Sequence, residues 1–215
     1  MRITKIEPQK NNPTRRNIYA DGEFVVGVSD ETLLRAGLRT GDEITVERLK
    51  VLIQEEEISG AKQVALRFLA HRARTKREIR DKLREKEFSE TDIEQTIENL
   101  ERAGLLNDAE FARMYVRDAL SAKPVGKNLL KRKLLLFGIE KTTVDEVLQE
   151  AFADVNDEEA AMEAGRKFLK KSLATRKASD KVQLRSRLSG FLSRRGFSWT
   201  TIEPVMKTLI KEQEE

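Results

Sequence analysis

The chain has 215 residues, of which 39% are apolar and 36% are charged, and its formal net charge is +4. The absence of cysteine and the presence of only one histidine exclude a disulfide framework, thiolate chemistry and a histidine-rich metal site. No apolar run is long enough to cross a membrane and the first residues lack the apolar core of a signal peptide, so we expect a soluble cytoplasmic protein.

The first part of the chain, residues 1–58, predicts a small module of strands and short helices. Asp21-Gly22 favours a tight turn in which both central residues have positive φ, and the dipeptide lies between two apolar runs. This pattern predicts a β-hairpin. Residues 3–6 are expected to add an edge strand.

Two helices are predicted to complete the module. Ser29 and Gly37 are typical of the two cap residues of a short helix. A second helix is expected to end at Ser59-Gly60, which breaks its pattern. The three carboxylates of Glu55-Glu56-Glu57 point in different directions on a helix, so we expect a solvated helix end there and not a cation site.

The rest of the chain predicts helices only, in three repeats of three helices each. Four apolar positions agree in all three copies when the repeats are aligned. They are Ile79/Leu130/Leu188, Leu83/Leu134/Leu192, Phe88/Ile139/Phe197 and Ile93/Val144/Ile202. The turn before the third helix ends in Glu87, Gly138 or Gly196, a position that suits a left-handed helix end. Pro204 predicts a late start or a kink in the last helix.

The predicted fold is therefore mainly α: tandem three-helix repeats with a small N-terminal β-hairpin and helix module. The predicted domains are residues 1–58, 59–105, 106–155 and 156–215. A single three-helix repeat of this size has a thin core, so neighbouring repeats are expected to stack into an elongated, solenoid-like array.

Charge alternates along the repeats. Residues 61–86 carry ten cations against three carboxylates, a net charge of +7, and residues 87–115 carry a net charge of −6. Repeats stacked in one orientation would align the basic second helices into one stripe and the acidic third helices into another. One interpretation of the basic blocks is a solvated helix face balanced by i, i+4 partners. The other is a surface for a polyanion, because the elbow at residues 72–77 holds four cations and no acid.

The candidate binding residues are the cations of the elbow and of the later basic helices. They are Arg72, Arg74, Lys76, Arg77, Lys127, Lys131, Arg132, Lys133, Lys167, Lys171, Arg185, Arg194 and Arg195. The third basic block also includes Arg176 and Lys177. Most phenylalanines fall at core positions, which predicts sequence-independent binding. Trp199 and Tyr115 are the candidates to be exposed and to stack on bases, although we expect each to pack in the core or between repeats.

No constellation of catalytic residues is visible. The single histidine, His71, lies in the arginine-rich elbow without a clustered nucleophile, and the glycines match neither a P-loop nor a dinucleotide fingerprint. The sequence predicts no catalytic residue, no cofactor and no metal site.

Three segments resemble the RecX family, regulators of the bacterial recombinase RecA. They are AHRARTKREIRDKL at 70–83, LLNDAEFARMYVRD at 105–118 and KNLLKRKLLLFG at 127–138. The resemblance implies a non-enzymatic protein of DNA repair, homologous recombination and the SOS response. Such a protein binds in the groove of the RecA filament on single-stranded DNA and restrains filament extension, ATP hydrolysis and strand exchange.

The expected partners are the RecA filament and single-stranded DNA, with duplex DNA as a further non-specific partner, and the expected state is a monomer. The acidic helices would meet RecA while the basic side meets DNA. The main alternative is a helical-repeat protein that binds nucleic acid without RecA. A phosphotransfer or hydrolytic enzyme is the third hypothesis, and it lacks clustered nucleophile, base or metal ligands.

Overall fold

The computed structural model describes residues 1–174 and 181–212, and within them it contains three strands and ten helices. The chain forms two compact units. The first comprises Met1–Arg74 and Glu78–Leu106, and the second comprises Thr75–Arg77 and Asn107–Glu215.

The strands all lie near the N-terminus and the helices follow them. The strands are β1 Ile3–Gln9, β2 Asn12–Ala20 and β3 Glu23–Ser29. The helices are α1 Asp30–Ala36, α2 Val46–Leu69, α3 Lys76–Glu85, α4 Glu90–Arg102, α5 Asp108–Ala122, α6 Lys127–Leu136, α7 Lys141–Ala151, α8 Asp157–Ala174, α9 Lys181–Arg194 and α10 Trp199–Lys211.

The N-terminal sheet is antiparallel with the strand order β1-β2-β3. The predicted hairpin is confirmed: Asp21 and Gly22 have φ values of 50° and 88° at the turn between β2 and β3. The edge strand is also confirmed, and it extends to Gln9. One face of the sheet buries Ile3 and Ile18 against Leu52 of α2, which forms the core of this module.

The N-cap of α1 explains why Glu56 is buried, although the sequence pattern predicts it in solvent. Ser29 caps α1 by accepting a hydrogen bond from the amide of Thr32, as predicted. Glu56 is nevertheless buried, with 7% of its surface exposed, so the expected solvated helix end is wrong. Its carboxylate accepts hydrogen bonds from the amide and hydroxyl of Ser29 at 2.8 and 3.0 Å and pairs with Arg15 at 2.7 Å. These donors offset the cost of desolvating the charge.

The predicted end of α2 at Ser59-Gly60 is also wrong, since α2 continues to Leu69. A Cβ built at Gly60 would lie 3.6 Å from the ring of Phe88, so the glycine faces a packed aromatic side chain. One glycine inside a helix costs about 1 kcal/mol, which packing along the rest of the helix readily exceeds. The predicted boundary between residues 58 and 59 therefore falls within a continuous helix.

The three repeats are confirmed. The first contains the end of α2 with α3 and α4, the second contains α5 to α7, and the third contains α8 to α10. Three of the four aligned apolar positions are buried on the second and third helices, including Ile79, Leu130 and Leu188. The fourth, Phe88/Ile139/Phe197, lies in the turn between them, where Phe88 is half-buried. Helix α10 begins at Trp199 and passes through Pro204, so the predicted late start is wrong, and the alternative of a kink at the proline stays a prediction. The proline lies near the helix start and removes one amide donor.

The turn before each third helix has a left-handed residue, as predicted for the two glycines and also at Glu87. Glu87, Gly138 and Gly196 have φ values of 62°, 81° and 88°. Glycine is required at the last position by close approach as well, because a Cβ at Gly196 would lie 2.2 Å from the amide nitrogen of Leu129. The amide of Asn128 donates to the carbonyl of Gly196 at 3.1 Å.

An equivalent contact occurs earlier in the second unit. Thr75 and Gly126 occupy the same repeat position, as do Phe137 and Arg195. The hydroxyl of Thr75 donates to the carbonyl of Phe137 at 2.9 Å, and the amide of Gly126 donates to the carbonyl of Arg195 at 2.9 Å. The segment before each of these second helices therefore packs on a left-handed turn.

We expect Gly196→Ala to lower the free energy of unfolding by about 3 kcal/mol, because it adds left-handed strain and a clash with backbone atoms. Gly104→Ala is the matched control: Gly104 has a φ of 69°, and a Cβ there would meet nothing within 4 Å. Its cost should be about 1 kcal/mol. Urea unfolding of both variants measures the difference, and equal losses would contradict a role for the close approach.

Candidate partner-binding surface

The cations of the elbow are not all exposed. Arg74 keeps only 14% of its side chain exposed, and its guanidinium lies 3.7 Å from the centroid of the Phe68 ring. Glu78 pairs with Arg74 at 3.2 Å and with Arg72 at 2.5 Å. The carboxylate one turn into α3 thus compensates two cations of the elbow, and Arg74 has a packing role.

Two other candidate arginines bind main-chain carbonyls within the second unit. Arg77 donates to the carbonyl of Leu136 at 3.4 Å, and its side chain covers Gly138. Arg195 donates to the carbonyl of Pro124 at 3.0 Å and lies 5.2 Å from the ring centroid of Phe191. These guanidinium groups stabilise turns in addition to any contact with a partner.

The basic second helices and acidic third helices pair within the repeats. Arg80 pairs with Glu94 at 2.7 Å in the first repeat, and Lys131 pairs with Asp145 at 2.5 Å in the second. The two pairs occupy equivalent positions. Lys131 lowers the pKa of the Asp145 carboxyl through this hydrogen bond. The stripes predicted from the sequence are therefore partly compensated, although exposed pairs of this kind contribute little to stability and can exchange partners.

Two further candidates have local partners. Lys167 pairs with Glu163 at 2.5 Å along α8, and the ammonium of Lys133 lies 5.9 Å from the ring centroid of Tyr115. Lys171 is exposed near the end of the same helix, α8. Lys127 is half-buried. Burial raises the pKa of the Asp157 carboxyl, and the positive charge of Lys127 acts in the opposite direction.

Three candidates in the second unit are exposed cations without a local acid. No carboxylate lies within ion-pair distance of Arg132, Arg185 or Arg194 in residues 1–174 and 181–212. Arg185 shares its repeat position with Lys76 and Lys127, which are the first residues of α3 and α6. Arg176 and Lys177 of the third basic block lie outside the described residues.

The aromatic candidates have different environments. Tyr115 packs against Phe111 and Phe137, with ring centroids 6.3 and 5.3 Å away. Trp199 has 63% of its surface exposed, so its expected core position is wrong. Its place immediately after the N-cap Ser198, outside the aligned apolar positions, was the available signal. Sequence patterns also missed Arg67 and Lys86, two exposed cations of the first repeat.

Nothing in the described part of the chain resembles a metal centre: no group of three or more potential metal ligands occurs there. None of the helices in that part is long and apolar enough to cross a membrane.

Family models match almost the whole chain. The RecX N-terminal domain matches residues 1–45, and the first, second and third RecX three-helix domains match residues 61–100, 107–148 and 156–206. The chain therefore contains all three of the predicted helical repeats in family order.

Relatives with the same organisation span the full length. The chain is 34% identical over 212 residues to the "Regulatory protein RecX" of Clostridium acetobutylicum, covering 98% of this chain and 97% of the relative. It is also 34% identical to that of Clostridioides difficile, covering 99% and 97%.

Two solved structures share the fold. One, the crystal structure of a regulatory protein RecX, has a TM-score of 0.75 at 24% identity and covers 96% of this chain and 98% of its own. The other, RecX from Lactobacillus salivarius, has a TM-score of 0.62 at 24% identity and covers 73% and 99%. From the family models and full-length relatives together, the chain belongs to the RecX family of regulatory proteins.

Proposed function

We propose that this chain is a non-enzymatic regulator of RecA that binds the RecA filament on single-stranded DNA. Binding in the filament groove would restrain filament extension, ATP hydrolysis and strand exchange. The observation that carries this proposal is the match of all four RecX domains along one chain, in order. The relatives over the full length bear the name of regulatory proteins.

The charge distribution supports contact with a nucleoprotein filament. Arg132, Arg185 and Arg194 are exposed and have no carboxylate within ion-pair distance among the described residues. Such cations gain free energy from phosphate groups because binding releases condensed counterions. Acidic helices in the same repeats, including α4 and α7, offer carboxylates to a protein partner.

The same three arginines favour a second candidate function, which is RecA-independent binding of nucleic acid. A nucleic-acid phosphate backbone pairs with these arginines whether or not RecA is present. The two functions differ in what binding requires: a RecA regulator acts on filaments at low ratios, whereas a simple nucleic-acid binder acts in proportion to the DNA that it covers.

Titration of this protein onto preformed RecA filaments on single-stranded DNA should suppress ATP hydrolysis at well below one molecule per RecA protomer. Suppression at such ratios follows if one bound molecule affects several protomers or a filament end. The measurement is the DNA-dependent ATPase rate of RecA against added protein. Unchanged ATPase together with tight binding to bare DNA would contradict the proposal and support the second candidate.

Neutralising the three unpaired arginines should weaken binding without unfolding the protein. The triple variant Arg132→Gln, Arg185→Gln, Arg194→Gln should reduce the magnitude of the slope of log K against log salt by about 2 on single-stranded DNA if each side chain contacts a phosphate. Fluorescence anisotropy over a salt series measures this slope. The matched control neutralises three cations that pair with nearby acids, Lys5, Arg102 and Lys207. An equal effect in both variants would contradict specific contact.

Arg74 should be excluded from binding variants because its substitution is expected to destabilise the first unit. We expect Arg74→Ala to lower the free energy of unfolding by about 2 kcal/mol, since a desolvated cation–π contact is lost. Arg72→Ala, whose side chain is 49% exposed, should cost under about 1 kcal/mol. Urea unfolding compares them, and a smaller loss for Arg74→Ala than for Arg72→Ala would disprove its packing role.

A further inference from the structure

A basic cleft lies between α2 and α3 in the first unit, outside the candidate surface described above. Its volume is about 340 Å³. One wall comes from the end of α2 and the segment after it, and the other comes from α3. The lining residues are Val64, Arg67, Phe68, His71, Lys82 and Lys86.

The spacing of these residues explains why they share one cleft. Val64, Arg67 and Phe68 lie on one face of α2 at i, i+3, i+4 spacing, with His71 in the segment just after that helix, and Lys82 lies on α3 with Lys86 directly after its end. The two helices thus present cations to the same space from opposite sides. Phe68 lies between them and is half-buried.

The cleft carries an excess of positive charge. Arg67 donates to the backbone carbonyl of Gln63 at 3.3 Å, and no carboxylate lies within ion-pair distance of Arg67 or Lys86 among the described residues. Lys82 pairs with Glu85 at 2.9 Å, and Glu85 is the only acid in direct contact with the lining cations there. Three cations against one carboxylate leave a site that attracts anions.

The aromatic side chain in the cleft is fixed before any ligand arrives. Arg74 stacks 3.7 Å from the Phe68 ring centroid, and the ammonium of Lys82 lies 5.9 Å from it. Glu78 in turn holds Arg74. A ring restrained in this way loses little conformational entropy when a ligand packs on it.

We propose that this cleft binds the sugar-phosphate backbone of single-stranded nucleic acid. Arg67 and Lys86 would contact neighbouring phosphates from the two walls, while Phe68 and the alkyl chain of Lys82 would pack against the sugar or base between them. A nucleotide offers charge and an apolar surface side by side, which matches ammonium and guanidinium groups beside an aromatic ring. An acidic peptide would satisfy the cations alone.

The inference deepens the proposed function, on which it rests for the identity of the nucleic-acid partner, but it requires no RecA. The test is the affinity of the full chain for a labelled oligothymidylate, measured by anisotropy over a salt series. Arg67→Gln with Lys86→Gln should reduce the slope of log K against log salt by about 1.4, since two phosphate contacts on a single strand are lost. The fold should be unaffected because both side chains are exposed.

Matched variants make the result specific to the cleft. Arg102→Gln with Lys207→Gln removes the same charge from exposed ion pairs elsewhere and should leave the slope nearly unchanged. The charge-conserving pair Arg67→Lys with Lys86→Arg should retain most of the wild-type slope. Equal flattening in the cleft variant and the charge-matched control would overturn the proposal.

Two further results would also overturn it. One is unchanged oligothymidylate binding in the cleft variant. The other is loss of affinity for a polyglutamate peptide without loss of affinity for the oligonucleotide, which would identify an acidic-peptide site. Each is separable from failure of the proposed function, because RecA ATPase suppression by the unaltered chain is measured independently. A flattened slope with no effect on RecA would support the cleft and reject the RecA role.

Discussion

The second unit depends on a backbone approach that only a residue without a side chain permits. At Gly196 the chain turns with positive φ, and the amides of Gly126 and Asn128 reach the carbonyls of Arg195 and Gly196. Backbone groups buried in such a contact must be paired, and the two segments satisfy each other. Gly138 repeats the arrangement, with the side chain of Arg77 against it.

The same constraint explains why the first repeat differs. Its turn has the left-handed conformation, but Glu87 supplies the Cβ that would collide with a segment packed as at Gly138 or Gly196. This turn therefore cannot accept another segment in the same way.

Much of the fold could be predicted because it depends on local periodicity. Most of the aligned apolar positions are buried on the second and third helices, and Ser29 caps a helix through a neighbouring amide. The errors arise where a distant partner decides the outcome. Gly60 stays helical opposite Phe88, and Glu56 is buried because Ser29 and Arg15 bind it. No local pattern contains those contacts.

The sequence predicts the candidate site only as a set of basic residues and does not show which of them are available to a partner. Composition identifies basic helices, but it cannot separate Arg74, which stacks on Phe68, from Arg132, which is exposed and has no acid within ion-pair distance among the described residues. Nor could it show that Arg67 and Lys86 line one cleft, because Arg67 is on α2 and Lys86 directly follows α3, and the two become neighbours only when α2 and α3 pack. Tertiary packing therefore decides which cations a partner can contact.

The placement of the two proposed sets of phosphate contacts determines how their effects on the salt slope combine. The cleft cations belong to the first unit, whereas Arg132, Arg185 and Arg194 belong to the second. Because the two sets share no partner, neutralising either should not alter the packing around the other. Their effects on the salt slope should then add if one DNA strand contacts both units. If each unit binds a separate strand, the loss of one set should instead leave the slope for the remaining site unchanged, and it should reduce the number of strands bound.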